Sequence, residues 1–417
     1  MPFGFYIIMA AQFFSALADN ALLIVAIAVL REMQAPPAYE PLLKTFFTVS
    51  YVALAAFVGA FADSMPKWRV MFISNAIKIV GCGMMFFHVH PLFAYAIVGL
   101  GAAAYSPAKY GILTEYLPHR LLVVANGWIE GLTVGAIILG VVVGGTLIQP
   151  GLAARLLSPD LPFIKLGIDS MSEIAIAITC FFYLLATLFN LYIPDTGVEH
   201  KKLHKNPLYL FQEFNRCMIL LWRDRLGQVS LAVTTLFWGA GATLQFIVIK
   251  WAEAALHLKS SMLQGVVAIG VALGAAAAAK MVTLRQSVRV IPLGIAMGLI
   301  VLSMVFVSNL WVAIALLIII GTLSGFFVVP MNALLQHRGH QLMGAGHSIA
   351  VQNFNENLSI LVMTCLYYLM MQINLSIYSV ITLFGLFVSG SMLLVKRRHE
   401  HNQRIQDDVI HLDDSTH

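Results

Sequence analysis

The chain has 417 residues, of which 59% are hydrophobic and 11% charged, where a soluble globular domain carries roughly a quarter charged; a soluble fold is excluded. Its net charge of +5 would suit a nucleic-acid binder, but the basic residues fall in alternate loops between apolar stretches and form no single patch, which excludes that partner as well. Cys82, Cys180, Cys217 and Cys365 stand singly, without a Cys-x-x-Cys pair, so neither a disulfide framework nor a zinc site is indicated.

A membrane span needs about 20 mainly apolar residues. Twelve stretches qualify, beginning near Tyr6, Leu43, Val70, Phe93, Leu122, Glu173, Gly227, Met262, Val288, Trp311, Met343 and Asn374. The first follows a nearly uncharged Met1 to Phe5, with no basic n-region and no small-residue cleavage site, and is expected to remain as a span. The sequence thus predicts an all-α polytopic membrane protein. An amino-terminal six-helix bundle covers 1–194, a linker 195–226, a carboxy-terminal six-helix bundle 227–396 and a polar tail 397–417.

An ionised group in the hydrocarbon region costs several kcal/mol unless it is paired or wet, so each one found there is a functional hypothesis. The first span carries Asp19 beside Asn20. After the second span comes Gly59-Ala-Phe-Ala-Asp63-Ser-Met-Pro-Lys67-Trp-Arg69, an acid at a helix end with bases a turn later, which is expected to act in gating. The third span carries Asn75 and Lys78, and the fourth carries Lys109 just after the helix-disrupting Pro107. In the fifth, Asn126 and Glu130 share a face, and Gly131, Gly135, Gly140 and Gly144 form two Gly-x-x-x-Gly units. With Gly270 and Gly274 of the eighth span, these predict close helix approach between the halves. Two acids and two bases in the amino-terminal half also fit internal ion pairs, the alternative to substrate contact.

The stretch from Asp195 to Arg225 is basic and partly amphipathic (Leu208, Phe211, Phe214, Met218, Leu221), and is expected to lie on the membrane surface between the halves. The seventh span holds Gln245 and closes with Lys250, which is expected to snorkel to the interface. The eleventh holds Gln352, Asn353, Asn355, Glu356 and Asn357, polar groups around nearly the whole helix that are expected to line a cavity. Lys and Arg concentrate on one side, from Lys67 and Arg69 through the linker to Lys396 and Arg404. The other side has only Arg31, Lys44, Arg155, Lys165 and Lys259, with Lys250 at the boundary, so the positive-inside rule puts both termini in the cytoplasm. One constant shift relates the halves. Pro107 and Pro330 stand 223 residues apart (330 − 107), and the same shift carries Phe14 onto Phe237 and Glu130 onto Asn353. Parallel repeats of this kind are an architecture of secondary transporters. No phosphate loop, metal-ligand spacing or catalytic constellation is present: His88 with His90 and His337 with His340 lack a carboxylate partner at ligand spacing.

The runs Phe14-Ser-Ala-Leu-Ala-Asp-Asn-Ala-Leu-Leu, Gly101-Ala-Ala-Ala-Tyr-Ser-Pro-Ala-Lys-Tyr-Gly-Ile-Leu, Ala125-Asn-Gly-Trp-Ile-Glu, Phe237-Trp-Gly-Ala-Gly, Gly325-Phe-Phe-Val-Val-Pro-Met-Asn-Ala-Leu-Leu-Gln and Gly344-Ala-Gly-His-Ser-Ile-Ala-Val-Gln-Asn resemble the lysophospholipid transporters of the major facilitator superfamily. The loop from Gly59 to Arg69 likewise resembles the superfamily's loop motif, departing from it at Ser64, Pro66 and Trp68. The resemblance implies two six-helix bundles around a central cavity, with no cofactor. Lysophospholipids, chiefly lysophosphatidylethanolamine, would pass from the outer to the cytoplasmic leaflet of a bacterial inner membrane, where a partner acyltransferase, acyl carrier protein synthetase, re-acylates them. A zwitterionic head group needs both signs of charge, so Asp19 is expected to attract its ammonium and Lys109 its phosphate. The family's seventh span commonly has arginine where Gln245 stands here. A proton-coupled exporter of amphipathic drugs or metabolites on the same fold, with Asp19 or Glu130 carrying the proton, is the alternative, and a non-transporting scaffold for the acyltransferase is a second.

Overall fold

Inside hydrocarbon every backbone N–H and C=O needs a partner within its own segment, which turns each long apolar stretch into a helix. The computed structural model describes residues 1–36, 39–149, 170–204, 206–256 and 262–405. Arg155, Lys165, Lys205, Lys259 and the 406–417 part of the predicted tail lie outside the described residues. The helices are α1 Phe3–Glu32, α2 Tyr39–Asp63, α3 Lys67–Phe86, α4 Pro91–Tyr116, α5 Leu122–Leu147, α6 Met171–Leu191, α7 Pro207–Arg223, α8 Arg225–Ala255, α9 Met262–Met281, α10 Ile291–Leu302, α11 Leu310–Met343, α12 Ala345–Gln372 and α13 Ile377–Ile405. Short 3-10 turns, Leu284–Val290 and Ser303–Phe306, flank α10.

Among the described residues eleven helical stretches are long and apolar enough to cross a membrane. The 28-residue α12 is as long but carries the Gln352–Asn357 run, and with it the twelve expected spans are in place. The exception to spanning is α7, which breaks the predicted linker into a capped helix. Asn206 accepts from Leu208 N with Pro207 in the first turn, and Asp224 then caps α8 through Gly227 N at 2.7 Å. The apolar stripe expected along α7 divides: Leu210, Phe214 and Leu221 are buried, while Leu208 and Phe211 are exposed.

The 223-residue shift reappears in the helix starts. Tyr39 and Met262 are separated by it, as are Leu122 and Ala345, and Lys67 and Ile291 come within one residue of it. It fails for the sixth helix of each half, Met171 and Ile377, because the first half has more chain between its fifth and sixth helices.

The chain forms two compact units. The first comprises Met1–Lys109 and Gly135–Lys205; the second comprises Tyr110–Val134 and Asn206–His417. The division cuts through α4 and α5, whose adjoining ends belong with the second unit. In the first unit α6 packs on α1 and α3, around a core of Leu22, Val25, Leu30, Leu43, Val98 and Tyr183. Gly140 and Gly144 let α5 close on the α1 backbone at Leu17 and Ala21, where any Cβ would collide. In the second unit Gly270 and Gly274 of α9 meet the α11 backbone at Ile318 and Thr322 in the same way, and α10 lies on α13 through Gly298 and Gly385. Trp251 anchors the second core, its indole N–H donating to the Met304 carbonyl at 2.9 Å.

The glycines expected to join the halves mostly serve packing inside one unit. Gly131 and Gly135 meet no neighbour, whereas Gly127, one turn earlier on α5, rests against Ala275 and Ala279 of α9 within the second unit. The close approach of the fifth and eighth spans is therefore real but sits one turn away from the Gly-x-x-x-Gly register.

Candidate functional site

In the first unit the charges inside the spans converge. Lys78 Nζ donates to Asp19 Oδ2 at 2.8 Å and to Ser15 Oγ at 3.0 Å. It also stands 5.0 Å from the ring centre of Tyr105 and 5.7 Å from that of Tyr183. Asp19 receives the Tyr183 hydroxyl on Oδ1 at 2.7 Å, and its backbone carbonyl accepts from Tyr95 at 3.4 Å. Ser15 passes its own proton to Asn75 Oδ1 at 2.8 Å. The ammonium is thus sealed, at 1% exposure, and the carboxylate keeps an edge open, at 18%. Lys78 and Tyr183 hold Asp19 from behind in a low-dielectric setting where charge-assisted hydrogen bonds are strong. Asn20 turns away and donates to the Ala16 carbonyl at 2.8 Å. Lys109 is half-buried in α4.

The loop expected to gate closes on itself. Lys67 Nζ donates to Asp63 Oδ1 at 2.9 Å and to the Ala62 carbonyl at 2.7 Å, both side chains being buried. The linker adds a backbone bond from Lys201 N to the Asp63 carbonyl at 3.0 Å. Gly59 is buried on α2, and exposed Arg69 stacks on Trp68 at 5.1 Å.

In the second unit the polar groups are linked through amides. Asn126 and Gln336 exchange two hydrogen bonds of 2.9 Å each, a reciprocal pair between α5 and α11. One turn on, Asn332 Nδ2 donates to Glu130 Oε1 at 3.5 Å. Gln352 Nε2 then bridges Asn332 Oδ1 at 3.1 Å and Glu356 Oε1 at 2.7 Å. The run on α12 divides by face. Gln352, Asn353 and Glu356 are buried, whereas Asn355 accepts from Trp222 of α7 at 3.3 Å and Asn357 bonds back to the Asn353 carbonyl at 2.8 Å. Interhelical bonding therefore accounts for Gln352 and Asn355, while Glu356 accepts from Gln352 on its own helix. Gln245 is exposed on α8, and Lys250 forms a surface pair with Glu253 at 3.2 Å.

Sequence reasoning passed over Tyr183, Tyr95, Tyr105, Ser15 and Gln336, which no local pattern marks. Asn332 had a signal: it follows Pro330 by two residues, as Lys109 follows Pro107. Where the first repeat has an ammonium, the second has an amide.

A continuous two-repeat helical chain with a charged centre in a span matches one family model, that of the Major Facilitator Superfamily, over residues 8–364. The chain belongs to the major facilitator superfamily. Among its curated relatives, the lysophospholipid transporter LplT of Serratia proteamaculans is 41% identical over 370 residues, 88% of each chain. The protein of the same name from Yersinia enterocolitica is 39% identical over 378 residues, 90% of this chain and 89% of the relative. Solved superfamily structures superpose over nearly the full length. The human organic anion transporter MFSD10 gives a TM-score of 0.72 at 14% identity, covering 96% of this chain and all of its own. The FucP transporter in its outward conformation gives 0.72 at 13%, covering 96% of this chain and 98% of its own. At such identity these two speak for the fold alone. The superfamily frame and the span count make this chain a multi-span membrane protein whose relatives are named as transporters.

Proposed function

We propose that this protein is a lysophospholipid transporter that moves lysophosphatidylethanolamine and related lysolipids from the outer to the cytoplasmic leaflet of a bacterial inner membrane. Support comes first from relatives of that name at about 40% identity across nearly the whole chain. The observation within the molecule that carries the reading is Asp19. Its carboxylate lies inside a span, is held by Lys78 and Tyr183, and retains an open edge.

An ammonium head group docking on that edge gains a charge-assisted contact without having to strip water from a bare carboxylate. The phosphate, one bond system away on the same head group, is met by Lys109 beside Pro107, and the acyl chain stays in lipid. Asn20, Asn126, Glu130, Gln245, Gln352, Asn353 and Glu356 complete the polar surface in this reading, and Gly59, Asp63, Lys67 and Arg69 form the gate. The six-helix halves over 1–194 and 227–396 alternate access to the lipid, tethered by 195–226. Both termini face the cytoplasm, where Lys and Arg concentrate, and the delivered lysolipid is re-acylated there by an acyltransferase such as acyl carrier protein synthetase.

The test is flipping of a fluorescent lysophosphatidylethanolamine in proteoliposomes, with and without ion gradients. Lys109→Gln is expected to abolish flipping while leaving the protein folded, and Asp19→Asn is expected to abolish flipping and also to lower stability by leaving the buried Lys78 ammonium without its counter-ion, so its flipping is scored per folded protein. Proton-coupled dye efflux without lysolipid flipping would overturn the reading in favour of an exporter, and undiminished lipid remodelling by both variants would leave only a scaffold.

A further inference from the structure

At one end of the second unit, where α9 turns into α10, a cavity of about 670 Å³ is walled by the Leu284–Val290 turn, the start of α10 at Ile291 and Pro292, and the last turns of α13. Arg285, Arg289 and Lys396 line it together with His399, which is buried. Among the described residues the wall has one carboxylate, Glu400, 3.8 Å from Lys396.

The corresponding turn of the first repeat shows what is different here. The 223-residue shift places Gln286 where the first repeat has Asp63. Asp63 neutralises Lys67 at 2.9 Å, so that turn supplies its own counter-ion. In the second repeat the acid has become an amide, and Gln286 Oε1 is spent on capping, accepting from Thr283 N at 3.3 Å. The whole segment from Thr283 to Ile291 contains no Asp or Glu. Arg285 and Arg289 of this turn and Lys396 from α13 line one cavity on whose wall, among the described residues, Glu400 is the single acid. Retention of positive charge on one side of the membrane explains the sign of these residues, but not their gathering around one half-open cavity.

We propose that this cavity binds the phosphodiester head group of an anionic phospholipid of the cytoplasmic leaflet, a site separate from the transported lysolipid. The assignment of that end to the cytoplasm rests on the orientation given under Proposed function. Depth favours a lipid over a soluble anion. Ile291 and Pro292, which close the wall, begin a span, so the cavity opens at the level of the head groups. The two helices leading away from it expose Leu299 on α10 and Leu394 on α13, apolar surface on which acyl chains can rest. Basic pockets between spans on this side of a membrane are suited to acidic head groups. All the walls belong to one unit, so the site persists through a transport cycle.

The test uses the purified full-length chain in detergent, titrated with phosphatidylglycerol, phosphatidylcholine and inorganic phosphate, and read by native mass spectrometry and thermal unfolding. Phosphatidylglycerol is expected to be retained and to raise the unfolding midpoint; phosphatidylcholine is not. Arg289→Gln/Lys396→Gln should weaken phosphatidylglycerol binding about tenfold or more, at roughly 1 kcal/mol for each interfacial cation. Lys202→Gln/Arg223→Gln, which removes the same charge elsewhere on that side, should leave it unchanged. Equal loss in both double variants would overturn the site in favour of diffuse surface charge. Displacement of the lipid by millimolar inorganic phosphate would overturn it in favour of a soluble anion. Lysolipid flipping is scored separately: intact phosphatidylglycerol binding without flipping sinks the transport reading and leaves this site standing.

Discussion

The two units bury polar groups by different physical means. In the first, Asp19 and Lys78 meet as opposite charges, with Tyr183 donating to the carboxylate and the ammonium donating also to Ser15. In the second, Asn126 and Gln336 meet as neutral amides that satisfy one another twice over. A charge pair holds only while both members are present, because either one alone is an ion in a low-dielectric interior. An amide pair fails more gently, leaving one unsatisfied dipole. The first arrangement holds a carboxylate inside a span, paired on one side and open along one edge. The second fastens helices together without creating a charge that a ligand could answer. The molecule thus places a charge pair in the first unit and a neutral clasp in the second, where Asn126 of the first repeat meets Gln336 of the second.

The comparison breaks most visibly at Lys78. Lys78→Met leaves the part-buried Asp19 carboxylate without its counter-ion and should cost up to about 3–5 kcal/mol, seen as a large fall in the unfolding midpoint of the purified protein. Asp19→Leu/Lys78→Met should recover most of that stability yet remain unable to flip lysolipid. A double variant as unstable as the single one would show that the pair does more than neutralise itself. Tyr183→Phe removes one hydrogen bond from the carboxylate and should cost about 2 kcal/mol, with transport reduced more than stability if that bond aims Asp19 at its ligand. Gln336→Leu should cost about 1–2 kcal/mol, and a double-mutant cycle with Asn126→Leu should return a favourable coupling between the two amides. The smallest effect is expected at Lys250→Gln. Its partner Glu253 shares an exposed surface, with side chains 52% and 40% accessible, where ion pairs contribute a few tenths of a kcal/mol.

A second contrast lies in the turns that follow α2 and α9. The first binds its cation internally through Asp63 and Lys67, and in the second, with Gln286 in the acid's place, Arg285 and Arg289 line a cavity. Restoring the acid sharpens the point. Gln286→Glu should reduce phosphatidylglycerol binding to the purified chain several-fold without altering Asp19-dependent flipping, since a new carboxylate beside Arg285 and Arg289 competes with the lipid phosphate.

Much of this was legible in the sequence because it depends on local chemistry. Runs of about 20 apolar residues must become helices in a membrane, and the repeat showed itself in Pro107 and Pro330. Asp19, Lys78, Glu130 and Glu356 announced themselves because a charge in oil demands an explanation. What the sequence left open was which group would answer each charge. Tyr183 reaches Asp19 from 164 positions away, and Gln336 reaches Asn126 from 210. Hydropathy records how apolar a helix is and carries no record of its rotation against a neighbour. That rotation is settled by backbone contact at Gly140, Gly144, Gly270 and Gly274, and a turn of one helix by a single residue would send Asp19 about 100° away from Lys78. The presence of buried charge was therefore written in residue types along the chain, while its pairing, and so the open edge on Asp19, was decided by how the helices pack.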